Sequence, residues 1–178
     1  MVASVTISYY YERQQKEQIV NLKSICRFLE HVKYRIELFA MPIKRIYEEY
    51  KDKGITKVVG SEAKGFIVGS ILASRLHVGF VMARKAGILP YDTIGEDYVK
   101  NGTERRLEIH TDTLNENDVV LLHDDVLGTG ATMNAIHRLV KRLGVKQTYI
   151  SFVVELGALH GRENLPEGVD VKTLLRLN

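Results

Sequence analysis

A chain of 178 residues and 20.2 kDa is room for one domain, and at this length folding buries roughly two-thirds of the unfolded surface without cross-links. Hydrophobic residues make up 45% and charged residues 26%, an ordinary globular balance that excludes disordered, collagenous and low-complexity classes. The net charge of +3 is too weak to argue for nucleic acid but suits an anionic small substrate.

The single cysteine, Cys26, excludes an intrachain disulfide, and the six histidines fall in no zinc-ligand spacing beside cysteines. Apolar runs stop well short of the ~20 residues of a membrane span. The stretch VASVTISYYYERQQ lacks the apolar centre of a secretory signal. Together these features predict a soluble protein of a reducing compartment, the cytoplasm.

In chain order, Tyr9, Tyr10 and Tyr11 form a cluster that could stack on a base, though core or dimer packing is the commoner use. Ile19, Leu22, Cys26 and Leu29 make a helical stripe within Glu12 to Leu29. Val32, Tyr34, Ile36 and Leu38 alternate with polar residues and predict a short strand. A helix is expected from Pro42 to Gly54. Thereafter the units alternate: a strand over Ile55–Val59, a helix over Phe66–Leu76, and a strand over Gly79–Ala83. Residues 85 to 104 show no strong period and read as a long loop. Strands follow over Arg106–His110 and Val119–His123, then a helix over Thr132–Leu143, a strand over Thr148–Glu155 and a last strand over Val169–Leu175. Alternation of this kind implies a mainly parallel sheet with helices on both faces. The change of character near Gly54 divides the chain into an N-terminal helical region, 1–53, and a compact core, 54–178.

Ligands of open α/β sheets bind at the carboxyl ends of strands, and three such ends stand out. In Val119–Met133 an apolar strand runs into Asp124 and Asp125, then a loop of Gly128, Thr129, Gly130, Ala131 and Thr132 that opens a helix. The glycines permit close backbone approach, and successive N–H groups at a helix start attract anions. The carboxylates suit sugar hydroxyls, a developing cation or a metal. Strand, acid pair and loop in this order fit a sugar phosphate, with phosphate in the loop and ribose against the acids; an ordinary strand–turn–helix capped by aspartate is the plainer alternative. At the second end, Gly60-Ser61-Glu62-Ala63-Lys64-Gly65-Phe66, Lys64 and backbone N–H groups suit a diphosphate. At the third, Arg84 and Lys85 precede Ala86-Gly87-Ile88-Leu89-Pro90. Either of these two, taken alone, reads equally well as an ordinary basic turn. His123 reads as a buried, hydrogen-bonded core residue.

The Val119–Met133 stretch resembles the phosphoribosyl diphosphate (PRPP) signature of type I phosphoribosyltransferases. Glu62-Ala63-Lys64-Gly65-Phe66 and Arg84-Lys85-Ala86-Gly87-Ile88-Leu89-Pro90 resemble segments of the adenine phosphoribosyltransferases within that family. Glu155-Leu156 with Gly161-Arg162-Glu163 is similar to the stretch after the penultimate strand. The resemblance covers most of the chain from Gly54 onward.

It implies the type I phosphoribosyltransferase fold, with residues 1–53 as a divergent hood over the base. It implies transfer of the phosphoribosyl group of PRPP to a purine, adenine first, with Mg²⁺ bound through PRPP rather than by direct side-chain ligation. Asp124 and Asp125 become the catalytic pair, Gly128 to Thr132 the 5′-phosphate site, and Lys64, Arg84 and Lys85 the diphosphate site. A loop over residues 85 to 104 that closes on the substrate and a cytoplasmic homodimer, with neither membrane nor nucleic-acid partner, complete the expectation. The chain departs from the family pattern at Lys64 for Arg, Ala63 for Ser, Ile88 for Lys, and Tyr98 to Glu104 in place of a Glu-Tyr-Gly stretch. The base-binding motifs Phe-Pro-x-Pro-Gly and Phe-x-Asp have no counterpart in residues 1–53. These departures keep two alternatives open: a different base, such as xanthine or guanine, or a PRPP-binding regulator without turnover.

Overall fold

The computed structural model describes residues 36–178, with side chains from residue 40. Its first element is helix α1, Ile36–Tyr50. Then follow β1 (Lys57–Ser61), α2 (Gly65–Leu76), β2 (Gly79–Lys85), β3 (Thr93–Lys100), β4 (Thr103–His110), β5 (Val119–Leu127), α3 (Ala131–Arg142), β6 (Gln147–Leu156) and β7 (Asp170–Leu177). Two short 3₁₀ turns, Gly157–Leu159 and Gly161–Asn164, join β6 to β7. The tyrosine cluster and the helical stripe of Glu12 to Leu29 lie outside the described residues.

One seven-stranded sheet has the order β3-β4-β2-β1-β5-β6-β7. The run β2-β1-β5-β6-β7 is parallel, and the β3–β4 hairpin joins β2 in antiparallel sense. From β1 the chain crosses to β2 on one side, and from β5 to β6 on the other. The strand order therefore reverses between β1 and β5, where a crevice opens at the strands' carboxyl ends.

Side chains alternate across a strand, and the two faces build two cores. Val58 and Leu121 face α1 and α2, packing with Ile43, Ile46, Tyr50, Val68 and Leu72. Val59, Leu122 and Ile150 face α3, packing with Met133, Ile136, Leu139 and Val140. The expected sheet with helices on both faces is present, and residues 42–178 form one compact unit. Among the described residues no helix is long and apolar enough to cross a membrane.

Two expectations are corrected. The short strand read over Val32 to Leu38 gives way at Ile36 to α1, which carries Pro42 inside it rather than at its start; Val32 and Tyr34 lie outside the described residues. The helical spacing Ile36, Phe39, Ile43, Ile46, Tyr50 runs through the same stretch and, being longer than the alternation, prevails. The long loop read over residues 85 to 104 is mostly a hairpin. Lys100 pairs with Thr103 across Asn101 and Gly102, whose φ angles of 55° and 74° are those of a tight two-residue turn. Charged Glu96, Asp97 and Lys100 obscure the period of β3, but Asn-Gly was the signal that could have revealed it.

Candidate functional site

Three neighbouring strand ends form the site, because β1 lies between β2 and β5. Ser61 is in register with Ala83, and Gly60 with both Met82 and His123. The turns leaving β1, β2 and β5 thus meet at the crevice.

On β5, Asp124 and Asp125 follow His123. The Asp125 N–H donates to Asp124 Oδ1 at 2.9 Å. Helix α2 begins directly above: a Cβ on Gly65 would meet the His123 carbonyl at 2.8 Å and Asp124 Oδ1 at 3.2 Å. Only glycine permits this approach. Burial pushes the Asp124 carboxyl well above the usual aspartate range, the charge of Asp125 adds to the shift, and the Lys100 ammonium opposes it. Asp125 instead faces Lys64, whose Nζ lies 3.4 Å from Oδ2.

At the end of β1 the peptide Glu62–Ala63 is cis. The Glu62 carboxylate accepts the Lys85 N–H at 2.9 Å and Arg84 Nε at 3.3 Å. The β1 turn therefore grips the end of β2 at Arg84 and Lys85. Lys64 and Arg84, singled out in the sequence, are each already paired with a carboxylate; Lys85 is held through its backbone and its side chain is exposed.

The loop after β5 turns at Gly130, φ 79°, into α3. Backbone packs on backbone there. A Cβ on Gly130 would collide with the Gly161 carbonyl, and one on Gly161 with the Gly128 carbonyl. Asn164 Nδ2 donates to the Thr129 carbonyl at 2.9 Å. This bond draws one carbonyl of the loop towards the β6–β7 connection, while the first N–H groups of a helix lack partners within it. An anion cradle needs that polarity. The connection is itself braced: buried Glu155 accepts Arg162 Nε at 2.8 Å and the Thr173 hydroxyl at 3.1 Å.

His123 is fully buried, with Nδ1 2.8 Å from Ser151 Oγ, as expected of a core histidine. Burial lowers its pKa to about 3, so it is neutral at physiological pH. Reasoning from sequence missed three polar anchors: Glu62, Lys100 and Asn164. Glu62 lies 22 residues from Arg84, and Asn164 lies 35 from Thr129; no local pattern announces either. Lys100 was hidden by the missed hairpin.

An acid pair thus stands with Lys64 on one side and a glycine-rich helix start farther along the same strand. The sequence profile of the phosphoribosyl transferase domain matches residues 34–172, and the chain belongs to that family. It is 58% identical over 132 residues to an adenine phosphoribosyltransferase of Phocaeicola vulgatus, covering 74% of this chain and 76% of that one. Among solved structures it is similar to the Giardia lamblia enzyme of the same name in complex with 9-deazaadenine, with TM-score 0.80 and 38% identity over 84% of this chain and 85% of that one. It also resembles the Trypanosoma brucei enzyme in complex with AMP, pyrophosphate and ribose-5-phosphate, with TM-score 0.76 and 26% identity over 83% and 68% of the two chains.

Proposed function

We propose that this protein is an adenine phosphoribosyltransferase of purine salvage. It transfers the phosphoribosyl group of PRPP to adenine, giving AMP and diphosphate. The observation that carries this reading is the meeting of three strand ends: Lys64 lies 3.4 Å from Asp125, and the phosphate loop follows on the same strand. The bond from C1′ of ribose to the diphosphate oxygen breaks as the bond from C1′ to the ring nitrogen forms, and the diphosphate leaves with the electron pair.

Little covalent chemistry falls to the protein; positioning and charge stabilisation do the catalysis. In this reading the loop from Gly128 to Thr132 anchors the 5′-phosphate. Asp124 and Asp125 hold the ribose hydroxyls and stabilise positive charge developing at C1′. Lys64, Arg84 and Lys85 receive the diphosphate, with Lys64 and Arg84 exchanging their carboxylate partners for it. Lys64 brings charge without the bidentate fork of arginine.

Among the described residues no three His, Cys, Asp or Glu side chains group to hold a metal. The residues would suit a Mg²⁺ ion bound through PRPP, which the part-exposed Asp125 carboxylate would attract. Such an ion, when bound, neutralises charge on the diphosphate. Of the N-terminal stretch 1–53, Ile43, Ile46 and Tyr50 belong to the core; the residues before them are assigned to the hood over the base, and the protein to a cytoplasmic homodimer.

The test is diphosphate release from PRPP and Mg²⁺ with adenine, guanine, hypoxanthine or xanthine supplied in turn. Release with adenine alone is expected. Release with another base alone would reassign the substrate. PRPP binding with no release for any base would overturn the enzymatic reading in favour of a PRPP sensor.

A further inference from the structure

A phosphate bound on the loop after β5 needs positive charge, and the loop itself contributes only N–H groups and the hydroxyls of Thr129 and Thr132. The described structure places a cation there from an element unconnected to that loop. Lys100, the last residue of β3, donates from Nζ to Thr132 Oγ1 at 3.0 Å.

The lysine arrives by a fixed route. Strand β3 lies along α3 and is bonded to it at several points. Arg142 Nη1 donates to the Gly95 carbonyl at 2.8 Å and to Glu96 Oε2 at 3.0 Å. Arg138 Nε donates to Glu96 Oε1 at 2.6 Å. Ile94 and Tyr98, of the same parity as Glu96 and Lys100, pack against the core that α3 helps to build. The lengths match: Gly95–Lys100 spans roughly 17 Å at ~3.3 Å per strand residue, and Thr132–Arg142 about 15 Å at ~1.5 Å per helix residue. Fastened at the C-terminal end of α3, the strand sets its last residue at the N-terminal end.

We propose that Lys100 is a 5′-phosphate-binding residue, delivered to the phosphate loop by the β3–β4 hairpin. The inference rests on the reading of the site as a PRPP site. An ammonium has three N–H donors, and Thr132 takes one. The Thr132 hydroxyl, accepting from Lys100, keeps its own proton to donate to phosphate. Lysine and hydroxyl thus grip the anion together, and a charge-assisted bond of this kind is among the stronger polar contacts.

The experiment is titration of the full-length protein, and of its Lys100→Met and Lys100→Arg variants, with ribose 5-phosphate and separately with inorganic diphosphate. Lys100→Met is expected to weaken ribose 5-phosphate binding roughly tenfold and to leave diphosphate binding within about twofold. Lys100→Arg should retain most of the affinity for ribose 5-phosphate. Unaltered ribose 5-phosphate binding by Lys100→Met overturns the proposal while leaving the PRPP site standing. Equal losses for both ligands also overturn it, since the effect would then belong to the whole site. Equal losses in the Arg and Met variants overturn it too, because charge would not be what the residue supplies. If the unaltered protein binds neither ligand, the PRPP reading falls and takes this inference with it.

Discussion

At Asp124 the role proposed for the carboxylate works against stability. Its folded-state pKa is raised, so its contribution is intact below the unfolded value of 3.8 and is lost as pH rises through the folded value. Asp124→Asn removes that loss. Chemical denaturation should find the variant more stable than the parent at pH 7, with the difference shrinking as pH approaches 4. Diphosphate release by the same variant should fall by about 10²-fold or more if the carboxylate stabilises the charged transition state. His123 has the opposite linkage. Its pKa is about 3 when folded against 6.5 when unfolded, so stability falls as pH drops below 6.5, at up to about 1.4 kcal/mol per pH unit. His137, lowered by burial to about 4, slopes in the same direction. Stability measured between pH 6.5 and 4 should decline more gently in His123→Gln than in the parent. Much at this scale was readable in advance. That Asp124, Asp125, Lys64 and Arg84 stand at strand ends could be expected from the sequence, because each follows an apolar strand. Glu62 as their organiser could not, since its partners become neighbours only when β1 and β2 pair.

Among the elements, the phosphate loop depends on the absence of side chains. Gly130 combines a φ of 79° with contact against the Gly161 carbonyl, so a methyl group there is both strained and obstructed. Gly130→Ala should abolish measurable ribose 5-phosphate binding and cost at least about 1 kcal/mol of stability, both checked by titration and thermal unfolding. The expected helices and parallel strands are all present from Gly65 onward, with ends that move by a few residues. Their apolar periods are long and uninterrupted, as in the run from Val119 to His123. The hairpin was lost for the converse reason: β3 is studded with Asp97, which pairs with Arg106 across the hairpin, with Lys100, which reaches Thr132 at the start of α3, and with Glu96, which faces α3 farther along. The partners of Glu96 are Arg138 and Arg142, some forty residues away, and a local window holds no trace of that pairing.

For the molecule as a whole, the sheet separates two cores among the described residues. Tyr50 crosses that division. Its side chain is fully buried in the α1–α2 core, and its hydroxyl donates at 3.0 Å to the carbonyl of Ile150, whose own side chain lies in the α3 core. Tyr50→Phe leaves the shape and removes one buried hydrogen bond, which should lower unfolding free energy by about 1 kcal/mol with kcat unchanged. Denaturant midpoints and initial rates on the same preparation check both halves. The architecture was legible from the alternation of apolar strands and helices alone. The extent to which α1 belongs to the core was not: Ile43, Ile46 and Tyr50 lie on the N-terminal side of the change in character at Gly54, yet they pack under β1.

Because β3 is fastened to α3 at Gly95 and Glu96, it works as a ruler whose far mark is the phosphate loop. One residue inserted between Glu96 and Lys100 would turn the lysine to the opposite face of the strand. Two would restore the face but carry the ammonium past Thr132 by roughly 7 Å. Length can vary beyond the mark, at the Asn101–Gly102 turn, without moving it. The stretch from Glu96 to Lys100 is thus the part of the hairpin whose length is least negotiable.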